Sequence, residues 1–277
     1  MLDMLTWLPE NVSTFGEGID EAFAFIYWVS VGIFFLINII YITFIIKYRR
    51  RKRSERAYYT HGNNLLEFAW TALPFVLFAG IGIYSDQIWR DIKYAELQPN
   101  PDVTVEVMGQ QYMWHFRYAG SDGVFGHREM KFISSTNPFG IDPSDPNGKD
   151  DVTLINQMNV PINKHIQVKL SSMDVIHSYF LPNMRIKQDA VPGTWVDVWF
   201  NVDKTGTYEI ACAELCGDGH YLMRAELNAQ SQEEYDTWIN QQYEMKLASL
   251  ADPNADTAEG TQQDTTQTAS NDVAGGE

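Results

Sequence analysis

Two long apolar runs near the N-terminus, the first of them uncharged, limit this chain more than any other feature. From Ala22 to Ile46, 25 residues carry no charge, and Ser30, Asn38 and Thr43 are the clearly polar members. As a helix, a run of that length crosses a hydrocarbon layer of about 30 Å. A second run, expected as a helix over about 65–88, is broken by Glu67 and by Pro74, which can kink it. One such run would suit the core helix of a soluble protein; two in succession predict a transmembrane hairpin. Between them, Lys47 to Arg56 hold seven basic residues in ten. A nucleic-acid patch is one reading of such a run. Between two spans the positive-inside rule explains it better, placing loop 47–62 in the cytoplasm and both termini on the far side. Residues 1–20 carry no basic n-region and no small-residue cleavage site, so they read as an extracytoplasmic lead-in and not as a removable signal peptide. The expected environment is membrane lipid and protein, with no nucleic acid.

Composition changes after the hairpin, domain 21–90. Residues 1–90 hold eight acidic and eight basic side chains, whereas residues 91–277 hold 28 acidic and 12 basic, so the net charge of −16 belongs to the second part. There Val103, Val105 and Val107 alternate with polar residues ahead of Tyr112-Met113-Trp114-His115-Phe116, a strand signature. Further short strands are expected near 152–156, 165–171, 185–188, 194–201, 206–212 and 223–229, separated by Gly, Pro, Asn and Asp. That pattern predicts a sandwich or barrel over 91–247. Ser231-Gln-Glu-Glu ahead of Tyr235, Trp238 and Ile239 is a capping box for a helix over about 232–247. Residues 248–277 have no Lys or Arg and little apolar bulk, the composition of a disordered acidic tail.

Both cysteines of the chain fall within Cys212-Ala213-Glu214-Leu215-Cys216-Gly217-Asp218-Gly219-His220-Tyr221-Leu222-Met223. Two thiolates, an imidazole and a thioether in twelve residues suit copper. A disulfide would use neither the histidine nor the methionine, and zinc has little use for a thioether. A mononuclear blue-copper site needs one cysteine and leaves the second surplus, so the simplest use of both is to bridge two ions. The best supplier of a second imidazole is His177, in the apolar, β-rich segment Asp174-Val175-Ile176-His177-Ser178-Tyr179-Phe180-Leu181-Pro182.

The string C-A-E-L-C-G-x-G-H-x-x-M, preceded by D-V-I-H-S-x-F-x-P, resembles the dinuclear copper A signature of subunit II of the haem-copper cytochrome c oxidases. The resemblance covers roughly residues 20–247. It implies a two-helix transmembrane hairpin followed by a cupredoxin-like β-sandwich. It further implies that Cys212 and Cys216 bridge two coppers, that His177 and Met223 complete one ion, and that His220 with the main-chain carbonyl of Glu214 completes the other. Such a centre relays electrons and leaves no position open to a substrate. By the same resemblance, the Glu214 side chain helps hold magnesium at the interface with catalytic subunit I. Glu67, in a stretch resembling E-x-x-W-T-x-x-P, marks the mouth of a proton pathway; an interfacial carboxylate is the competing reading.

The chain departs from the family where oxidases fed by soluble cytochrome c show Q-W-Y-W. Here Gln111-Tyr112-Met113-Trp114 puts Tyr112 at the first tryptophan's place and keeps the second as Trp114. Either Tyr112 still forms the electron entry surface, or the donor is an unusual one that docks differently, or Tyr112 and Trp114 are ordinary strand aromatics. No C-x-x-C-H motif is present, so the chain binds no haem and its donor is a separate c-type cytochrome or cytochrome domain. The acidic surplus fits steering of a basic donor, and equally fits solubility or a saline habitat. The expected location is the bacterial inner membrane, with the copper domain periplasmic. The copper A subunit of a nitric oxide reductase differs only in its catalytic partner. A copper-free quinol oxidase scaffold would not keep these ligands, and nitrous oxide reductase needs more histidine than six residues.

Overall fold

The computed structural model describes residues 8–93 and 100–251. They divide into two units near Pro101, the short segment Asn183–Arg185 grouping with the first. Residues 1–7 of the lead-in, and the expected tail from 252 onward, lie outside the described residues.

The first unit is built on α1 (Gly16–Lys47) and α2 (Asn64–Lys93), each long and apolar enough to cross a membrane. Helix α1 begins ahead of the uncharged run, because helical hydrogen bonding does not require apolar side chains; Glu17 and Lys47 suit the partial charges of its two ends. The three polar residues of its uncharged run turn back on their own helix. Ser30 Oγ donates to the Ile26 carbonyl at 2.8 Å, Asn38 Nδ2 to Phe34 at 2.8 Å and Thr43 Oγ1 to Ile39 at 2.6 Å. Each polar group thereby avoids the cost of standing unpaired in hydrocarbon. Asn63 caps α2, its Oδ1 accepting from the N–H groups of Leu65 and Leu66, and the helix continues through Pro74.

The second unit holds two five-stranded sheets. One runs β3 (Val152–Ile155), β2 (Met113–Tyr118), β1 (Val103–Gln110), β5 (Ile166–Ser172), β8 (Val196–Phe200). The other runs β4 (Gln157–Pro161), β10 (Arg224–Gln230), β9 (Gly206–Cys212), β6 (His177–Leu181), β7 (Ile186–Ala190). The pairs β1–β5 and β4–β10 are parallel, and the other neighbours are antiparallel. Val105, Val107, Trp114, Phe116, Val168 and Leu170 from one sheet and Met158, Leu181, Ile210 and Leu227 from the other are wholly enclosed. This is a sandwich, one of the two architectures that the strand spacing allows, and it is cupredoxin-like as the resemblance implies.

The expected strand at 152–156 is followed directly by a strand that the periodicity did not mark. Asn156 takes a left-handed φ of 54°, which asparagine tolerates, and the chain passes from β3 in one sheet to β4 in the other. Asn156 is fixed on both sides: Trp114 N–H donates to its Oδ1 at 2.8 Å, and its own N–H donates to the Trp114 carbonyl at 2.8 Å.

Alternation also gave no warning of Arg117, fully buried in β2. Its guanidinium pairs with Glu106 at 2.7 Å and with Asp151, and donates to the Gly126 carbonyl at 2.8 Å. A buried cation is tolerable only when paired in this way. Helix α3 (Gln232–Ala251) starts at the expected capping box, with Glu234 N–H donating to Ser231 Oγ and Ser231 N–H donating to Glu234 Oε2. It runs past 247 to Ala251, so the first residues assigned from composition to the tail are helical.

Candidate metal centre

The ladder between β9 and β10 places the cysteine loop. Ala211 pairs with Arg224, and just beyond them Cys212 N–H donates to the Met223 carbonyl at 3.1 Å. Residues 213–222 are thus a loop closed at its base by main-chain hydrogen bonds. Inside it, His220 N–H donates to the Gly217 carbonyl, and a short 3-10 turn spans His220–Leu222. Strand β6 lies on the other side of β9, with Tyr179 opposite Cys212, and Ala213 N–H donates to the Ser178 carbonyl at 2.9 Å. That register brings His177, the first residue of β6, to the loop.

The donor atoms converge. Cys212 and Cys216 hold their sulfurs 3.9 Å apart, and His177 Nδ1 lies 3.9 Å from Cys212 Sγ. His220 Nδ1 lies 3.6 Å and Met223 Sδ 3.9 Å from Cys216 Sγ. The Glu214 carbonyl stands 3.2 Å from Cys212 Sγ, while the Glu214 residue is exposed. His177, Cys216 and Met223 are buried. Two thiols, two imidazole Nδ1 atoms, a thioether and a carbonyl within such distances form a soft donor set that suits copper.

Side chains around the cluster orient it. Asp174 Oδ1 accepts from His177 Nε2 at 2.8 Å, which turns Nδ1 towards the thiols, the carboxylate–histidine pairing common at metal sites. Burial lowers the His177 pKa, but hydrogen bonding to Cys212 and to Asp174 outweighs it and the net shift is upward. Burial also raises the Cys212 thiol, yet hydrogen bonds from His177 and from the main chain bring it down to about 6. Cys216 is pushed up to about 11 by burial and then by the charge of Cys212.

Trp114 is fully enclosed, its ring centroid 5.9 Å from that of His177 and 5.4 Å from that of Tyr179. Gly109 leaves room for this packing, since a methyl group there would stand 2.8 Å from His177 Cδ2. Tyr112 is half-buried and lies over the cysteine loop: a methyl group on Gly219 would stand 2.5 Å from Tyr112 Cδ2, and one on Gly217 2.6 Å from its hydroxyl. Sequence reasoning named Tyr112 and Trp114 from the motif but did not find Gly109, Gln111 or Ser178 as parts of the site. Glu67 lies in the other unit, exposed in the first turn of α2, where a carboxylate favours the helix N-terminus.

Two apolar helices followed by a cupredoxin-like sandwich with a soft-metal cluster define a membrane-anchored cupredoxin-like protein. The family profile for "Cytochrome C oxidase subunit II, periplasmic domain" matches residues 103–229, and that for the transmembrane domain matches residues 3–88. The chain is 33% identical to the alternative cytochrome c oxidase subunit 2 of Bradyrhizobium diazoefficiens, over 90% of this chain and 87% of that one. It is 31% identical to cytochrome c oxidase subunit 2 of Cereibacter sphaeroides, over 80% and 74%. The crystal structure of the periplasmic domain of cytochrome oxidase subunit II from Bradyrhizobium japonicum is 29% identical, spans 53% of this chain and 97% of its own, and gives a TM-score of 0.40. The chain belongs to the cytochrome c oxidase subunit II family and is a membrane-bound subunit of that oxidase complex, with transmembrane and periplasmic domains.

Proposed function

We propose that the chain accepts single electrons from a c-type cytochrome at a dinuclear copper A centre and passes them to haem in catalytic subunit I, where oxygen is reduced. The observation that carries this reading is the convergence of six donors, with two thiols at its middle. Cys212 and Cys216 would hold both ions, with His177 and Met223 as further donors to one and His220 with the Glu214 carbonyl as further donors to the other. Two coppers sharing two thiolates spread the charge of one electron over both metals, so little has to rearrange when it arrives or leaves. The protein contributes stiffness: β6, β9 and β10 fix both ends of the loop, and Asp174 holds the His177 ring.

The outward Glu214 carboxylate is available to a magnesium ion at the boundary with subunit I. Half-buried Tyr112, lying on the loop, is the surface where the donor delivers its electron, and enclosed Trp114 supports His177 from beneath. Glu67 lies at the mouth of a proton pathway. The basic loop 47–62 supports a topology with that end of the hairpin in the cytoplasm of a bacterium, and the copper domain with both termini on the periplasmic side of the inner membrane.

The test is the electron paramagnetic resonance spectrum of the full chain in detergent, loaded with copper. An unpaired electron shared equally by two copper nuclei is expected. A single-copper pattern would sink the reading.

A further inference from the structure

The ligands come from two segments distant in sequence, the β6 start and the cysteine loop, and a third segment reaches both. Gln111 and Tyr112 form the turn between β1 and β2. The Gln111 N–H donates to Asp174 Oδ2 at 2.7 Å, while the other oxygen of the same carboxylate accepts from His177 Nε2. The Gln111 side chain runs the other way, its Nε2 donating to the Cys216 carbonyl at 2.6 Å. The segment carrying Asp174 is tied to the same hairpin, since Met173 N–H donates to the Gly109 carbonyl at 2.9 Å. A side chain at 217 would block the approach, because a methyl group there would stand 2.9 Å from Gln111 Nε2.

The geometry points to Gln111 as a positioning residue that sets the spacing between His177 and Cys216, and so the symmetry of the metal centre between them. This rests on the two-copper reading above. Gln111 is exposed and adds little to the core, so its two hydrogen bonds are not a by-product of packing. Without the carboxamide, the Cys216 carbonyl loses its donor and the loop is free to shift against the Asp174–His177 pair. Methionine at 111 keeps the length and removes the donor. Glutamate keeps the shape and sets an acceptor against an acceptor.

The test compares the full wild-type chain in detergent with Gln111→Met and Gln111→Glu. In the metal-free chains, amide exchange at Cys216–His220 is expected to quicken in both variants while the urea midpoint stays put. In the copper-loaded chains, both variants should lose copper to a chelator about tenfold faster, the lower range for second partners of metal ligands. Their hyperfine pattern should show the electron shared unequally. Wild-type exchange and release rates in Gln111→Met would overturn the inference, as would a fall in the urea midpoint that accounts for the faster release. A wild-type chain holding one copper would instead defeat the two-copper reading, and the exchange rates of the metal-free chains would then decide the inference by themselves.

Discussion

Along α1 and α2, Phe34, Leu73 and Phe75 are 61%, 75% and 72% exposed, while in the sandwich Trp114, Phe116 and Leu170 are fully enclosed. The two units contain the same kinds of side chain and satisfy them differently. The sandwich is its own solvent for apolar groups, so each enclosed residue contributes to its stability. The hairpin leaves its apolar surface for lipid, so its helices are fixed in length and polarity and not by a core of their own. The cluster of metal-ligating side chains accordingly lies in the unit that can hold atoms in place without outside help.

The sharpest way to test that contrast is to remove a ligand. Cys212→Ser or Cys216→Ser should abolish the dinuclear centre while leaving the hairpin in the membrane. Bound copper per chain and flotation with lipid vesicles measure the two halves; a full two-copper complement in either variant would refute the assignment. Next in size, Phe116→Ala should cost the sandwich about 3–5 kcal/mol. Phe75→Ala should change the unfolding of the detergent-solubilised chain by no more than about 0.5 kcal/mol. Urea titrations followed by tryptophan fluorescence would show both, and equal effects would end the distinction.

A subtler difference lies inside the site. In the metal-free protein, alkylation of the first thiol should rise as pH passes about 6, whereas Cys216 stays slow until pH nears 11. The stability consequence has a definite sign. The folded pKa of Cys212 lies below the ordinary thiol value of 9.0, so its contribution is present above pH 9 and is lost as pH falls through about 6. Mass-resolved alkylation across that range checks the order of the two thiols. The smallest effect is expected in the hairpin, where Glu67→Gln should slow proton uptake in the assembled oxidase without altering copper reduction by the donor. Unchanged turnover would reduce Glu67 to an interfacial carboxylate.

The two units also differ in how much their sequences disclose. Twenty-five uncharged residues announce a span because the bilayer sets one length for all such helices. The Ser231–Glu234 box fixed the start of α3 because capping is local. The loop from Cys212 to Met223 was legible because its donors are close in sequence, and β6 was legible as the home of His177. What joins them was not. Arg117 reads as an outward-facing strand residue until Glu106 and Asp151 arrive from elsewhere, and Asn156 looks like the end of one strand until its left-handed backbone feeds another sheet. Gln111 reaches Asp174 and Cys216 across 63 and 105 residues, a meeting that no local pattern records.

The contact between Tyr112 and the loop bears on how this centre can change over generations. Positions 112, 217 and 219 share one volume, so neither glycine can take a side chain while the ring at 112 stays. Any side chain at 217 or 219 collides with the ring at 112, and a ring of another size at 112 must be accommodated by the same two glycines. A lineage exchanging the aromatic at 112 would leave the glycines untouched, which makes that aromatic the adjustable part and the loop beneath it the fixed one.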